Sequence, residues 1–209
     1  MNEEYASIGY NEKLQMIESV CFGEIESFCS EEEVLLASEK LDIILPDCFR
    51  LFYLRFGKQQ EFLKCMYNIA TLEELHVSSG ILMFAKEYQN VCAYGIDVNT
   101  GKVLYIDQSN NIAEELEQDA DDFLLFLLAM QTTQFLPCSA QIDTECLQSA
   151  EDLEEYLVRI TKNLGDCSVF CNPEGIIAVM SGEEIFVSAK NDQCMDRFEM
   201  ESGFEIDFL

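Results

Sequence analysis

The sequence predicts an α+β protein: a central, mostly antiparallel sheet flanked by helices, with a C-terminal elaboration of helix and strands. Three observations predict this class. Apolar residues recur at helical spacing before residue 57, the period shortens to strand-like runs from Gly80, and both periods return after residue 149.

Residues 11–22 carry Leu14, Ile17, Val20 and Cys21 on one face of a predicted helix. Ser30 followed by Glu33 has the form of a capping box, and Val34, Leu35, Ala37 and Leu41 continue a helical stripe behind it. Pro46 has no N–H to donate and suits a first helical turn, so a third helix is expected over 47–56, with Gly57 closing it in a left-handed conformation. Phe49, Phe52, Tyr53 and Phe56 fall on one side of it, a stripe better suited to core packing than to a ligand groove.

Residues 81–85, 91–97 and 102–106 are short apolar runs, and Val98-Asn99-Thr100-Gly101 between the last two is a strong turn signal; together they predict an antiparallel meander. Residues 112–131 are read as one helix, acidic at its start and apolar on every side over 123–130, hence buried. Residues 134–148 lack a clear period and are read as a connector. Ser149 is expected to cap an amphipathic helix with Leu153, Tyr156, Leu157, Ile160 and Leu164 on one face and Gly165 at its end. Three further strands are expected at 168–171, 176–180 and 184–189, a last helix at 192–200 and an edge strand at 204–208. An echo of Ile81-x-x-x-Ala85-Lys86-x-x-Gln89 in Ile185-x-x-x-Ala189-Lys190-x-x-Gln193 is read as coincidence. Residues 1–209 are expected to form one domain, with a core at about 30–132 and an extension at about 133–209.

Charge narrows the function. The chain holds 12 Lys+Arg against 40 Asp+Glu, a formal charge of −28. Residues 1–104 contribute net −9 and residues 105–209 net −19. A surface this negative repels phosphate and anionic lipid and gains none of the counterion release that drives nucleic-acid binding. The partner it suits is a basic protein. With 49% hydrophobic and 11% aromatic residues, the chain is no disordered acidic tail. Acids cluster at 31–33, at 114–122 and at 151–155. Those in first helical turns complement the helix dipole at about 0.3–1 kcal/mol each. The remainder is either a docking surface or a solubility device, and the sequence leaves both readings open. On charge density, Glu114, Glu115, Glu117, Asp119, Asp121 and Asp122 are the candidate partner contacts.

No chemistry-bearing motif emerges. The ten cysteines are dispersed, and Cys167-x-x-x-Cys171 has no matching second pair, so no metal and no cofactor are expected. The first ten residues carry acids where a signal peptide needs positive charge, so reduced thiols and a cytoplasmic location are expected. The longest apolar run, 123–130, is 8 residues against the roughly 20 of a membrane span. The sole histidine, His76, lies near no nucleophile elbow, and no phosphate-binding glycine motif occurs. Asp97-Val98-Asn99-Thr100-Gly101 imitates the start of a calcium loop but reads better as a hairpin turn. A non-enzymatic role follows. A hydrolase using paired carboxylates stays open only if a pocket holds two of them facing inward.

Leu45-Pro46-Asp47-x-Phe49-Arg50-x-Phe52-Tyr53, Phe56-Gly57, Ile81-Leu82-Met83-Phe84-Ala85-Lys86-Glu87-Tyr88-Gln89-Asn90-Val91, Tyr94-Gly95-Ile96-Asp97 and Gly101-Lys102-Val103 occur in this order. Over about 30–132 they resemble the SUKH superfamily of bacterial toxin-immunity proteins, which also includes a fungal regulator of cell-wall assembly. The tryptophan common there beside the position of Tyr94 is absent. The resemblance implies an α+β fold around a mostly antiparallel sheet and a non-enzymatic role, in many bacterial members the neutralisation of a cognate toxin, often a nuclease. It also implies Glu87 and Gln89 as partner-binding or hairpin-holding residues. Two functions remain: an immunity-type protein that binds a basic toxin nuclease domain, and a regulatory or scaffold module with an unrelated protein partner.

Overall fold

The computed structural model describes residues 8–22, 28–109, 112–143, 150–162 and 164–208. In chain order the elements are α1 (Tyr10–Cys21), α2 (Glu31–Leu41), α3 (Asp47–Phe56), α4 (Gln60–Leu63), β1 (Tyr67–Ile69), β2 (His76–Ser78), β3 (Ile81–Glu87), β4 (Cys92–Asp97), β5 (Val103–Asp107), β6 (Ile112–Glu115), α5 (Ala120–Phe135), β7 (Cys138–Ile142), α6 (Ala150–Glu154), β8 (Val158–Arg159), β9 (Cys167–Asn172), β10 (Ile176–Ser181), β11 (Glu184–Ala189), α7 (Asp192–Ser202) and β12 (Ile206–Phe208). The fold is α+β, as predicted, but the strands form two six-stranded antiparallel sheets instead of one central sheet. The chain divides into two compact units, residues 25–124 and residues 1–24 with 125–209, and the boundary falls inside α5. The expected core overlaps the first unit, while the N-terminal helix groups with the C-terminal part of the chain.

In the unit of residues 25–124 the sheet runs β1-β3-β4-β5-β6, with β2 beside β1 along the same edge of β3. The predicted meander is its centre. Phe49, Phe52, Tyr53 and Phe56 of α3 are all fully buried, as the stripe requires. Phe49 meets Phe84 of β3 edge-on at 5.0 Å, Phe84 meets Phe123 at 6.3 Å, and Phe123 lies 4.9 Å from the Tyr94 ring. The buried Tyr53 hydroxyl donates to the Ala70 carbonyl at 2.8 Å, which removes the cost of burying it unpaired. Asp97 Oδ1 accepts the N–H groups of Asn99 and Thr100 at 2.8 and 2.9 Å, and these bonds hold its carboxyl below the usual 3.8. With Gly101 at φ 72°, this is the expected hairpin turn.

Gly57 differs from expectation. It ends α3 at φ −61°, ordinary right-handed backbone, so conformational freedom is not why glycine stands there. A Cβ would come within 2.6 Å of Cys29 Sγ and 2.7 Å of the Tyr53 carbonyl. Close approach selects it. Residues 112–131 are not one helix either: Ile112–Glu115 pairs with β5 and extends the meander, and the helix begins only at Ala120. Acidity at 114–122 masked a strand followed by a helix start. The apolar stretch of α5 is buried as predicted, with only Phe126 partly exposed.

In the other unit the sheet order is β12-β7-β11-β10-β9-β8. The strands at β9, β10 and β11, helix α7 and the edge strand β12 all fall where the sequence places them. Leu14, Ile17 and Val20 bury α1, which packs on β9 and β10. Phe170, Ala178 and Val187 meet Met195 and Phe198 of α7 in the core. The expected connector contains β7, which pairs with both β11 and β12. The hydroxyls of Ser139 on β7 and Ser188 on β11 bond at 2.9 Å in the interior. The amphipathic helix expected after Ser149 is shorter: α6 ends at Glu154 and β8 pairs with Phe170 and Cys171. Leu153, Leu157, Ile160 and Leu164 are buried regardless, Leu153 and Leu157 in the core with Phe170 and Met195, while Tyr156, expected on the same face, is exposed. Ser149 itself lies outside the described residues. The sequence echo joins a turn residue, Gln89, to a helical one, Gln193, and the first strand of one meander to the last of the other, which is no structural repeat.

Two outcomes follow. Gly57→Ala is expected to lower stability by about 1–3 kcal/mol through overpacking, read as a reduced denaturant midpoint at unchanged m. The second concerns Glu74. Partial burial opposes its ionisation, but the Lys64 ammonium at 2.7 Å and the Thr71 N–H at 2.9 Å outweigh that and hold its carboxyl below the usual 4.5. A carboxyl lowered in the folded state stabilises above its unfolded value and loses that contribution as pH falls through the folded one. The stability difference between wild type and Glu74→Gln should therefore be present at neutral pH and fade below the usual 4.5.

Candidate functional site

The sequence-predicted acids are dispersed along three elements. Glu114 and Glu115 lie on the edge strand β6, opposite Tyr105 and Leu104, and as neighbours in a strand they point to opposite faces. Glu115 pairs with Lys102 at 3.5 Å. Glu117 and Asp119 are exposed in the connector to α5. Asp121 and Asp122 occupy the first turn of α5, where Asp121 Oδ1 accepts the Asp122 N–H at 3.0 Å. Asp122 is only 4% exposed and offers no docking surface. Glu87, half-buried at the end of β3, and Gln89, exposed in the following turn, are separated from β6 by β4 and β5, a span of about 14 Å at the usual strand spacing. These eight residues do not form one site.

A denser feature lies at the other side of the sequence. The capping box starts α2: Ser30 Oγ accepts the Glu33 N–H at 3.2 Å, and Glu33 Oε2 accepts the Ser30 N–H at 2.7 Å. Backbone bonding from Ser30, then the Lys58 ammonium, lowers the Glu33 carboxyl. Val34 and Ala37 are buried, but Leu35 is 59% exposed, contrary to its place in the predicted stripe. The helix ends at Asp42 in the left-handed conformation, φ 54°. Ile44 follows at 95% exposure. A groove of about 780 Å³ runs between α2 and the stretch 43–45, with Leu35, Ile43, Ile44 and Leu45 on its walls. Five carboxylates rim it: Glu31, Glu32, Glu39, Asp42 and Asp47. Arg50, the cation there, is engaged by Glu31 at 2.8 Å and Asp47 at 3.7 Å. Among the described residues no cation pairs with Glu32, Glu39 or Asp42.

Asp42 is unfavourable twice over. Its left-handed backbone strains any side chain, and its charge sits at the negative end of a helix. Sequence reasoning passed over this groove because it counted Leu35 as core. The signal was present in Leu35-Leu36, adjacent apolar residues on a short helix, and in the apolar run 43–45 straight after an acid.

The unit of residues 1–24 and 125–209 contains a cavity of about 500 Å³. Lys13, Arg159, Lys162 and Arg197 line it, against Glu154, Glu155, Glu174 and Glu201. Arg197 pairs with Glu174 at 3.2 Å, while Arg159 donates to Ser168 Oγ at 2.6 Å with Glu154 4.0 Å away. Equal numbers of opposite charges, partly matched to each other, give this cavity no net sign.

Several thiols are raised, the opposite of activation. Burial, with Asp121 adding to it, pushes the Cys48 thiol up to about 12. A bond to Asp192 at 2.8 Å, then burial, pushes Cys138 up to about 11, and burial raises Cys171 further still. His76 is exposed on β2, its Nδ1 3.2 Å from the Glu74 carbonyl. Among the described residues no three His, Cys, Asp or Glu side chains are grouped to hold a metal ion, and no helix is long and apolar enough to cross a membrane.

Replacing Asp42 by Gly is expected to raise stability by about 1 kcal/mol, seen as a higher denaturation midpoint. Alkylation at pH 8, read by mass spectrometry, should find native Cys48 on the order of a thousandfold slower than an unperturbed thiol, in proportion to its thiolate fraction.

Compared with known proteins, the chain matches no family model, no curated protein and no solved structure.

Proposed function

We propose that the chain is a non-enzymatic, immunity-type protein that binds and neutralises a basic toxin domain, a nuclease, through its acidic surface. One observation carries this reading: a formal charge of −28 that includes an apolar groove rimmed by five carboxylates and one cation. Nuclease surfaces are basic because their substrate is anionic, so an acidic inhibitor gains fast electrostatic steering and imitates the polyphosphate. The resemblance of residues 30–132 to the SUKH superfamily supports the same reading. So do thiols raised by burial, which are poor nucleophiles. The nine free cysteines among the described residues fit a reducing, cytoplasmic setting.

A regulatory or scaffold module is the second reading. The exposed Leu35 and Ile44 favour it, because polyphosphate mimicry has no use for apolar side chains. The identity of the neighbouring gene separates the two. Co-purification with that gene's product is expected at low salt, with affinity falling about tenfold or more as ionic strength rises from about 0.05 to 0.5 M, where screening shortens to a few ångströms. A neighbour that is neither toxin-like nor bound overturns the immunity reading.

A further inference from the structure

We propose that the groove between α2 and residues 43–45 seats an amphipathic basic segment of the partner, with its apolar side chains against Leu35 and Ile44 and its Lys or Arg residues on the carboxylate rim. This rests on the reading of the chain as a binder of a basic protein, and it names the surface and the partner's chemistry.

Three observations converge on this groove. An isoleucine left 95% exposed and a leucine 59% exposed lie on one open groove, an arrangement whose apolar area is unspent in the free chain. The rim is unbalanced, since its single arginine is already engaged by Glu31 and Asp47 while Glu32, Glu39 and Asp42 have no cation among the described residues. The backbone holds Asp42 in a left-handed conformation at the negative end of α2, a position that glycine would fill at lower cost. Local helix chemistry returns nothing for that carboxylate, whereas a cation docked beside it would.

Charge selects the occupant. A second copy of the chain would bring the same five carboxylates against themselves across a two-fold axis, a juxtaposition of like charges. An anionic membrane is repelled by the same rim. A helical segment with apolar side chains on one face and Lys or Arg beside them meets both the walls and the rim, the mode by which amphipathic helices occupy grooves. The groove flanks α2, which has 11 residues, so a segment of about 14 residues, roughly 21 Å as a helix, is long enough to follow it.

The test titrates the full chain with two synthetic peptides of about 14 residues and equal positive charge, one with Leu and Lys at helical spacing and one with Ser in place of Leu. Wild type is compared with Leu35→Ser/Ile44→Ser, with Glu39→Gln/Asp42→Asn and with Glu114→Gln/Glu117→Gln; circular dichroism checks the fold, and all six positions are exposed. Wild type should bind the Leu/Lys peptide saturably at one to one, about tenfold or more tighter than the Ser/Lys peptide. The Leu35/Ile44 variant should lose that preference and keep its salt dependence. The Glu39/Asp42 variant should weaken both peptides several-fold and flatten the salt dependence, and the Glu114/Glu117 variant should stay within about twofold of wild type. Unchanged binding of both peptides by the Leu35/Ile44 variant overturns the groove and leaves the acidic binder standing. Failure of wild type to bind either peptide at low salt overturns both. A dimer of wild type in sedimentation that Leu35→Ser/Ile44→Ser abolishes overturns the basic partner in favour of a second copy.

Discussion

The aromatic face of α3 against the meander is the contact on which the unit of residues 25–124 depends. Phe49 on Phe84 and Phe84 on Phe123, both edge-on, and Phe123 tilted on Tyr94 form a continuous chain from helix α3 through β3 to the first turn of α5 and back to β4. Each fully buried aromatic removes about 1.5–3 kcal/mol of apolar surface from water, and the edge contacts add about 0.5–1.5 kcal/mol apiece. Once α3 is seated this way, Leu45 is buried at its start, Ile43 is half-buried and Ile44 is left outward. The exposed Ile44 is thus a consequence of where α3 must lie. The steric demand at Gly57 comes from the same seating, because Tyr53 and Cys29 close over the helix end.

Against that apolar constraint stands the charge. Forty acids against twelve basic residues repel one another in the folded state more than in an expanded chain. Some of the repulsion is offset locally: Glu33 closes a capping box and meets Lys58, Glu74 is clamped by Lys64 and Thr71, and Asp97 folds into its own turn. Exposed pairs of this kind contribute little each. On the groove rim Glu31 and Asp47 meet Arg50, whereas Asp42 has no such cation among the described residues and stands at the negative end of α2.

The fold was legible wherever a side-chain period coincided with a single element. The stripe 49–56, the meander from Ile81 and the strands from Cys167 onward each have one buried face or two, and their patterns say so. Strand β6 was hidden because an edge strand beside solvent needs no apolar alternation, and its acids resembled a helix start. Strand β7 was hidden because Ser139 is buried through a hydroxyl bond to Ser188, which a hydropathy pattern counts as surface. The candidate site was less legible than the fold. Charge density pointed to 114–122, where one acid is buried and another is paired, while the groove depends on which of Leu35 and Val34 faces inward.

By itself the sequence determined the class of the fold, the aromatic core helix, the antiparallel meander and the sign of the chain's net charge, because each of these follows from periodicity or from composition. Only the tertiary structure decided that the strands form two sheets and that Gly57 answers to a close approach. It also decided that Leu35 and Ile44 stay exposed beside an acidic rim between α2 and α3. The physical reason is the same in each case: these properties depend on which residues distant in sequence become neighbours, and no local pattern encodes the distance between a carboxylate and the nearest cation in space.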